Sequence, residues 1–128
     1  MSLRDRILAS DDIGKQTITV PHWDGVELEI RTMTAAERAS MLNSAVGPAG
    51  EMDLEELYPR ILIGTIFAPE TGEAVFTHED VSALKNKSAS AVEFVAQKSM
   101  ALSGLTGEAV DAEGKASYKT LNTDITLY

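Results

Sequence analysis

The sequence predicts an α+β fold in which an N-terminal antiparallel β-hairpin packs on a small bundle of about four helices, followed by a weakly ordered C-terminal tail. Three observations predict it. Residues 17–31 carry two runs of period-two alternation, the stretches after them carry apolar residues at helical spacing, and most of those stretches open on a capping signal. Residues 1–105 form the single predicted domain, and 106–128 form the tail.

Leu3 to Ala9 reads as a short amphipathic helix, with Leu3, Ile7 and Leu8 on one side ahead of Asp11-Asp12. In the first alternating run Ile18 and Val20 interleave with Thr17 and Thr19. In the second, Val26, Leu28 and Ile30 interleave with Glu27, Glu29 and Arg31. One face of each strand is therefore apolar, as a half-buried strand requires. Between the runs Pro21-His22-Trp23-Asp24-Gly25 supplies turn chemistry, since Asp-Gly tolerates the positive φ of a tight hairpin.

Thr34-Ala35-Ala36-Glu37 is a capping box, in which hydroxyl and carboxylate satisfy the donors a helix start leaves free. It predicts a helix to about Val46, stopped by Gly47 in a left-handed cap and by Pro48. Asp53 and Glu56 form a similar start, with Met52 placed to staple on Leu57. Leu54, Leu57, Tyr58, Ile61, Leu62 and Ile66 then share one helical stripe, which marks the central core helix. Pro59 lies inside that stripe and predicts a kink or a restart.

Ala68-Pro69-Glu70-Thr71-Gly72 reads as a tight turn joining the extended pieces Ile66-Phe67 and Ala74 to Phe76. Thr77-His78-Glu79-Asp80 is a capping box with Asp in the Glu position, Phe76 placed to pack on Val81, and a short helix ending near Asn86. Ser88 or Ser90 caps a last helix, where Ala91, Phe94, Val95, Leu102 and Leu105 share an arc. Lys98 falls within that arc, which predicts an ammonium carried outward along an apolar surface. In the tail Asp124-Ile125-Thr126-Leu127 alternates, the pattern of a strand added to a partner's sheet.

Composition narrows the function. The formal net charge of -9 repels phosphate backbones and anionic membrane surfaces, so neither nucleic acid nor a membrane is an expected partner. With no cysteine, thiolate zinc sites and disulfides are excluded, and the usage fits a reducing cytosol. No stretch resembles a signal-peptide core or approaches the length of a membrane span.

Catalytic motifs are not assembled. The two histidines, His22 and His78, fall in a hairpin turn and a first helical turn, without the spacing of a zinc pair. Ser103-Gly104 lacks the preceding Gly of a nucleophile elbow, and Gly114-Lys115-Ala116 lacks the Ser or Thr and the upstream Gly of a phosphate loop. Adjacent carboxylates at Asp11-Asp12 and Glu55-Glu56 read as solvated or helix-start acids, because acid-base work needs convergent groups with separated pKa values. No enzyme activity, cofactor or metal is therefore expected. Trp23 either covers the buried face of the hairpin or anchors a partner. The candidate partner-binding residues are Trp23, Tyr58, Phe67, Lys98, Tyr118, Leu121, Ile125 and Leu127.

Taken in order, the opening Met1-Ser2-Leu3-Arg4-Asp5-Arg6-Ile7-Leu8-Ala9, the hairpin with Trp23, Met33-Thr34-Ala35-Ala36-Glu37-Arg38, Leu57-Tyr58-Pro59, Ala68-Pro69-Glu70-Thr71-Gly72-Glu73 before Val75-Phe76-Thr77, and Val95-Ala96-Gln97 through Leu102-Ser103-Gly104-Leu105 resemble bacteriophage tail assembly chaperones. The resemblance is to the XkdN-like group of long-tailed actinobacterial phages and prophages. It implies a factor of the host cell cytoplasm, absent from the mature virion, that binds the tape measure protein and helps recruit major tail protein subunits. It also implies a longer frameshifted form differing from Thr106 onward. A homo-oligomer is a further expectation, since a factor coating a long partner gains from multivalency. The alternative is a minor structural virion component, such as a head-tail connector or tail subunit.

Overall fold

A computed structural model describes residues 2–104. Helix α1 (Leu3–Ala9) opens the chain with a capping box that the sequence reading did not single out, in which the Ser2 hydroxyl accepts from the Asp5 N–H and the Asp5 carboxylate from the Ser2 N–H. Strands β1 (Lys15–Val20) and β2 (Val26–Arg31) follow as an antiparallel pair, with Ile18 opposite Leu28 and Val20 opposite Val26. The hairpin loop is wider than a two-residue turn. Pro21–Trp23 form a 3-10 turn, Asp24 and Gly25 then take positive φ of 58° and 73°, and the Gly25 N–H closes the loop on the Val20 carbonyl at 3.0 Å.

Helix α2 (Ala35–Ser44) begins on the predicted reciprocal box of Thr34 and Glu37. It stops two residues earlier than predicted, and Gly47 is not its left-handed cap. Ala45 closes the helix through its own N–H, while Val46 bridges to Met52 and the positive φ of this loop falls on Gly50. Helix α3 (Leu54–Thr65) is capped by Asp53, whose carboxylate accepts from Glu55 N–H at 3.0 Å. Glu56 takes no part in that cap, since its carboxylate turns to Arg60 and Lys85 instead. Pro59 causes no restart, as α3 runs through it without interruption and buries its ring.

Ile66–Phe67 form β3, which joins the hairpin as its third strand in the order β1-β2-β3, with Ile66 opposite Ile30 and Phe67 opposite Glu29. The turn after it closes as expected, with Phe67 bridged to Ala74 and the Gly72 N–H donating to Ala68 O at 2.8 Å. The Thr77 box forms with Asp80, but it opens a 3-10 turn (His78–Asp80) before α4 (Val81–Lys85). Ser88 holds the N-cap position of α5 (Ala89–Ser103) without a side-chain hydrogen bond, and Gly104 ends α5 in the left-handed region.

Helix α3 packs against α2, α4 and α5, and α5 also touches β1. Ile18, Val20, Leu28 and Ile30 from the sheet meet Leu57, Ile61, Leu62, Val92, Val95 and Ala96 in one core. The buried arc of α5 is rotated from the one the spacing suggests. Ala91, Val92, Val95, Ala96, Ser99 and Met100 are buried, Phe94 and Leu102 sit at its margin, and Lys98 is outside it. Ser99 can take the inner position because the Thr65 hydroxyl lies 3.0 Å from its own, while Thr65 also bonds the Ile61 carbonyl at 2.6 Å. The predicted tail and Leu105 lie outside the described residues.

Candidate functional site

Among the described residues, two apolar surfaces are left uncovered. The first is α1, which buries none of its residues, and where Leu3, Ile7 and Leu8 are 69%, 60% and 67% exposed. Isolated exposed leucines are ordinary on a protein surface. Three on one side of a seven-residue helix with no buried position have no fold-level purpose, because nothing in the core depends on them.

The second is a groove of about 490 Å³ between α2 and α3. Ala36, Ser40, Met41 and Ser44 of α2 form one wall, Ile63 and Gly64 of α3 with Met33 form the floor, and Phe67, Ala74 and His78 close one end. Glu37 and Arg60 supply charge to the lining. Gly64 shapes it: a Cβ there would sit 3.0 Å from Met33 Sδ, so the missing side chain is what lets Met33 lie flat on α3. Volume and apolar lining suit an amphipathic helix or a few apolar side chains.

The wall near Phe67 is held by charge. On the outer face of the sheet the Arg31 guanidinium pairs with Glu29 at 3.1 Å and lies 4.2 Å from the Phe67 ring centroid. Gly72, at φ 76°, clears space for it, since a Cβ would meet Arg31 Nη2 at 3.1 Å. Below the groove, Glu56 takes an i,i+4 bond from Arg60 and a second ion pair from Lys85 of α4. The Lys85 hydrogen bond, reinforced by Arg60, holds the Glu56 carboxyl below its ordinary pKa, and Glu56 raises that of Lys85. This cluster ties α4 to α3.

The sequence-predicted residues are scattered over the molecule. Phe67 belongs to the groove. Tyr58 lines a separate hollow of about 150 Å³ with Leu54, Leu84 and Val92. Trp23 packs half-buried against the core at the hairpin end, where its neighbour His22 meets the Phe94 ring at 5.3 Å between centroids. Lys98 is exposed and outside the buried arc rather than within it, with its ammonium 5.5 Å from the centroid of the same Phe94 ring. Tyr118, Leu121, Ile125 and Leu127 lie outside the described residues. Sequence reading missed Met33, Met41, Ile63 and Gly64, although a glycine within the apolar stripe of α3 is a signal of close approach.

Among the described residues no group of three or more His, Asp or Glu side chains converges as a metal cluster, and no helix is long and apolar enough to cross a membrane. No family model matches the chain, and no curated protein matches it. Among solved structures the chain is similar to the tail assembly chaperone of bacteriophage HK97, at 15% identity and a TM-score of 0.59, over 80% of this chain and 95% of that one. The chain thus has a fold like that of a phage tail assembly chaperone.

Proposed function

We propose that this protein is a tail assembly chaperone of a long-tailed phage or prophage, of the XkdN-like group. It binds the tape measure protein and helps recruit major tail protein subunits in the host cell cytoplasm during tail morphogenesis. The observation that carries the reading is the likeness in fold to the HK97 chaperone over nearly that protein's whole length. The uncovered side of α1 and the α2–α3 groove support it, since a chaperone needs apolar surface that its own fold does not consume. A long helical tape measure protein offers amphipathic segments of the kind such a groove accepts. The proposal assigns the chain no catalysis, no cofactor, and no nucleic-acid or membrane partner.

Co-expression with the tape measure protein of the same genome tests it. The expected result is a soluble tape measure protein that co-purifies with this chain; an insoluble one, with no co-purification, sinks the reading. Mass spectrometry of purified particles separates a chaperone from the minor virion component, because a chaperone is absent from the mature particle. Self-association is part of the same proposal, and a strictly monomeric sedimentation profile at high concentration would remove it.

A further inference from the structure

We propose that β1 is an open sheet edge that pairs with β1 of a second copy about a two-fold axis, Thr17 opposite Thr17 of that copy, so that one antiparallel sheet runs through the dimer. The inference deepens the self-association proposed above and rests on that part of the reading.

The phase of the ladder leaves this edge open. In an antiparallel pair, alternate residues exchange backbone hydrogen bonds with the neighbouring strand, and the residues between them turn away from it. The Thr32 N–H donates to the Gly14 carbonyl at 2.9 Å, and the register carries that phase along β1, so Gln16, Ile18 and Val20 bond β2. The N–H and carbonyl groups of Lys15, Thr17 and Thr19 therefore point the other way. Among the described residues no backbone hydrogen bond outside the ladder reaches these three, and all of them are exposed. The far edge of the sheet differs, because the Val75 N–H closes on the Ile66 carbonyl at 3.1 Å and Phe67 bridges to Ala74.

Natural sheets blunt an open edge with prolines, bulges or charges. Here proline comes only after the strand, at Pro21, and the one charge of β1 is Lys15 at its start. The centre, Thr17-Ile18-Thr19, is made of β-branched residues that favour extended backbone.

A second copy fits this edge in sign and in register. Within the chain Lys15 stands opposite Arg31, a like charge, and Glu27 lies exposed opposite Thr19. Among the described residues neither Lys15 nor Glu27 has an ion-pair partner. Pairing about Thr17 sets Lys15 opposite Thr19 of the second copy, one strand away from that copy's Glu27, so a free cation lies beside a free carboxylate on both sides of the axis. The same register sets the outward N–H and carbonyl groups of Lys15, Thr17 and Thr19 against their counterparts. Two-fold pairing uses up both edges and closes, whereas head-to-tail addition would leave one open.

The chain has no cysteine, so an introduced thiol reports the register directly. Facing residues of a hydrogen-bonded pair lie about 5.5 Å apart at Cα, within disulfide range. In the full chain, Thr17→Cys should cross-link to a dimer under mild oxidation. A mixture of Lys15→Cys and Thr19→Cys chains should cross-link as well, while neither of those variants should do so alone. Sedimentation of the unaltered chain should show a monomer–dimer equilibrium. Thr17→Pro, whose lost N–H faces solvent in the monomer, should weaken that equilibrium at least about tenfold. A chain that stays monomeric at high concentration overturns edge pairing and the wider self-association together. A dimer that survives in folded Thr17→Pro, or cross-links that ignore the register, overturns edge pairing and leaves self-association by another surface standing. Should Thr17→Pro fail to fold, the cross-linking pattern decides. All of these measurements use the isolated chain, so their failure is distinguishable from failure to bind a tape measure protein.

Discussion

The hydroxyl of Thr65 on α3 lies 3.0 Å from the hydroxyl of Ser99 on α5, and both residues are sealed from solvent. Each hydroxyl has one proton to give, and Thr65 is also within 2.6 Å of the Ile61 carbonyl. Two polar groups thus satisfy one another across the helix pair that forms the centre of the core. Thr65→Val keeps the shape and strands the Ser99 hydroxyl, which should cost about 1–2 kcal/mol. Ser99→Ala should cost less, because the Thr65 hydroxyl still donates to the Ile61 carbonyl. The double variant should lose less than the two together by roughly 0.5–1.5 kcal/mol, because no buried hydroxyl is then left alone. Urea unfolding of the four proteins completes the cycle, and strict additivity would mean the hydroxyls act independently.

The Glu56 cluster makes a pH prediction. Its carboxyl is held below the ordinary value of 4.5 by Lys85 and then Arg60. A carboxyl depressed in the folded state contributes stability that is present above the unfolded pKa and is lost as pH falls through the folded one. Glu56→Gln should therefore lower Tm at pH 7, by less than about 5 °C because the cluster faces solvent. As pH falls below 4.5 and through the depressed folded value, the melting temperatures of the two proteins should converge. The partner side runs oppositely: the raised Lys85 pKa contributes below 10.5 and fades at higher pH. A thermal melt series from pH 2.5 to 11 reads both windows.

Two glycines should respond differently to alanine. Gly72 sits at φ 76° with the Arg31 guanidinium where a Cβ would go, so Gly72→Ala should destabilise by about 1–2 kcal/mol and loosen Arg31 from Phe67. Gly64 lies inside α3, where alanine gains about 0.5–1 kcal/mol of helix propensity, and its only close neighbour is the flexible end of Met33. Gly64→Ala should leave stability within about 1 kcal/mol of the parent and shift the Met33 methyl signal. Chemical denaturation with methyl NMR checks the pair.

On α1, Leu3→Asp with Ile7→Asp should change global unfolding by less than about 0.5 kcal/mol, since neither side chain is buried. Co-purification with the tape measure protein should drop at least tenfold if α1 is part of the docking surface. A full-strength complex would assign docking to the groove alone.

How much of this was legible in the sequence depended on how local the cause was. The Thr34 box and the Asp-Gly positive φ involve atoms a few residues apart, and both stand as read. Ile66-Phe67 reads as extended and is, but its place as the third strand did not show, because its pairing with Ile30 and Glu29 is set by tertiary packing. Gly47-Pro48 looked like a helix stop, yet the bridge between Val46 and Met52 moved the left-handed residue to Gly50. The arc of α5 was misjudged at Ser99, a polar residue whose burial depends on Thr65, 34 positions away. The groove was invisible for the same reason: its lining comes from two helices and the segments around them, and Met33 lies close on α3 where Gly64 has no side chain.

Seven residues are too few for a helix to hold itself together in water, where even favourable sequences need about 12–15. Since α1 buries nothing, its shape rests on the hydrogen bonds of Ser2 and Asp5 at one end. On the proposed reading, a partner that closes over Leu3 and Ile7 must also keep that segment wound. Swapping Ser2 for alanine should therefore weaken such a complex without deleting a single atom from its interface.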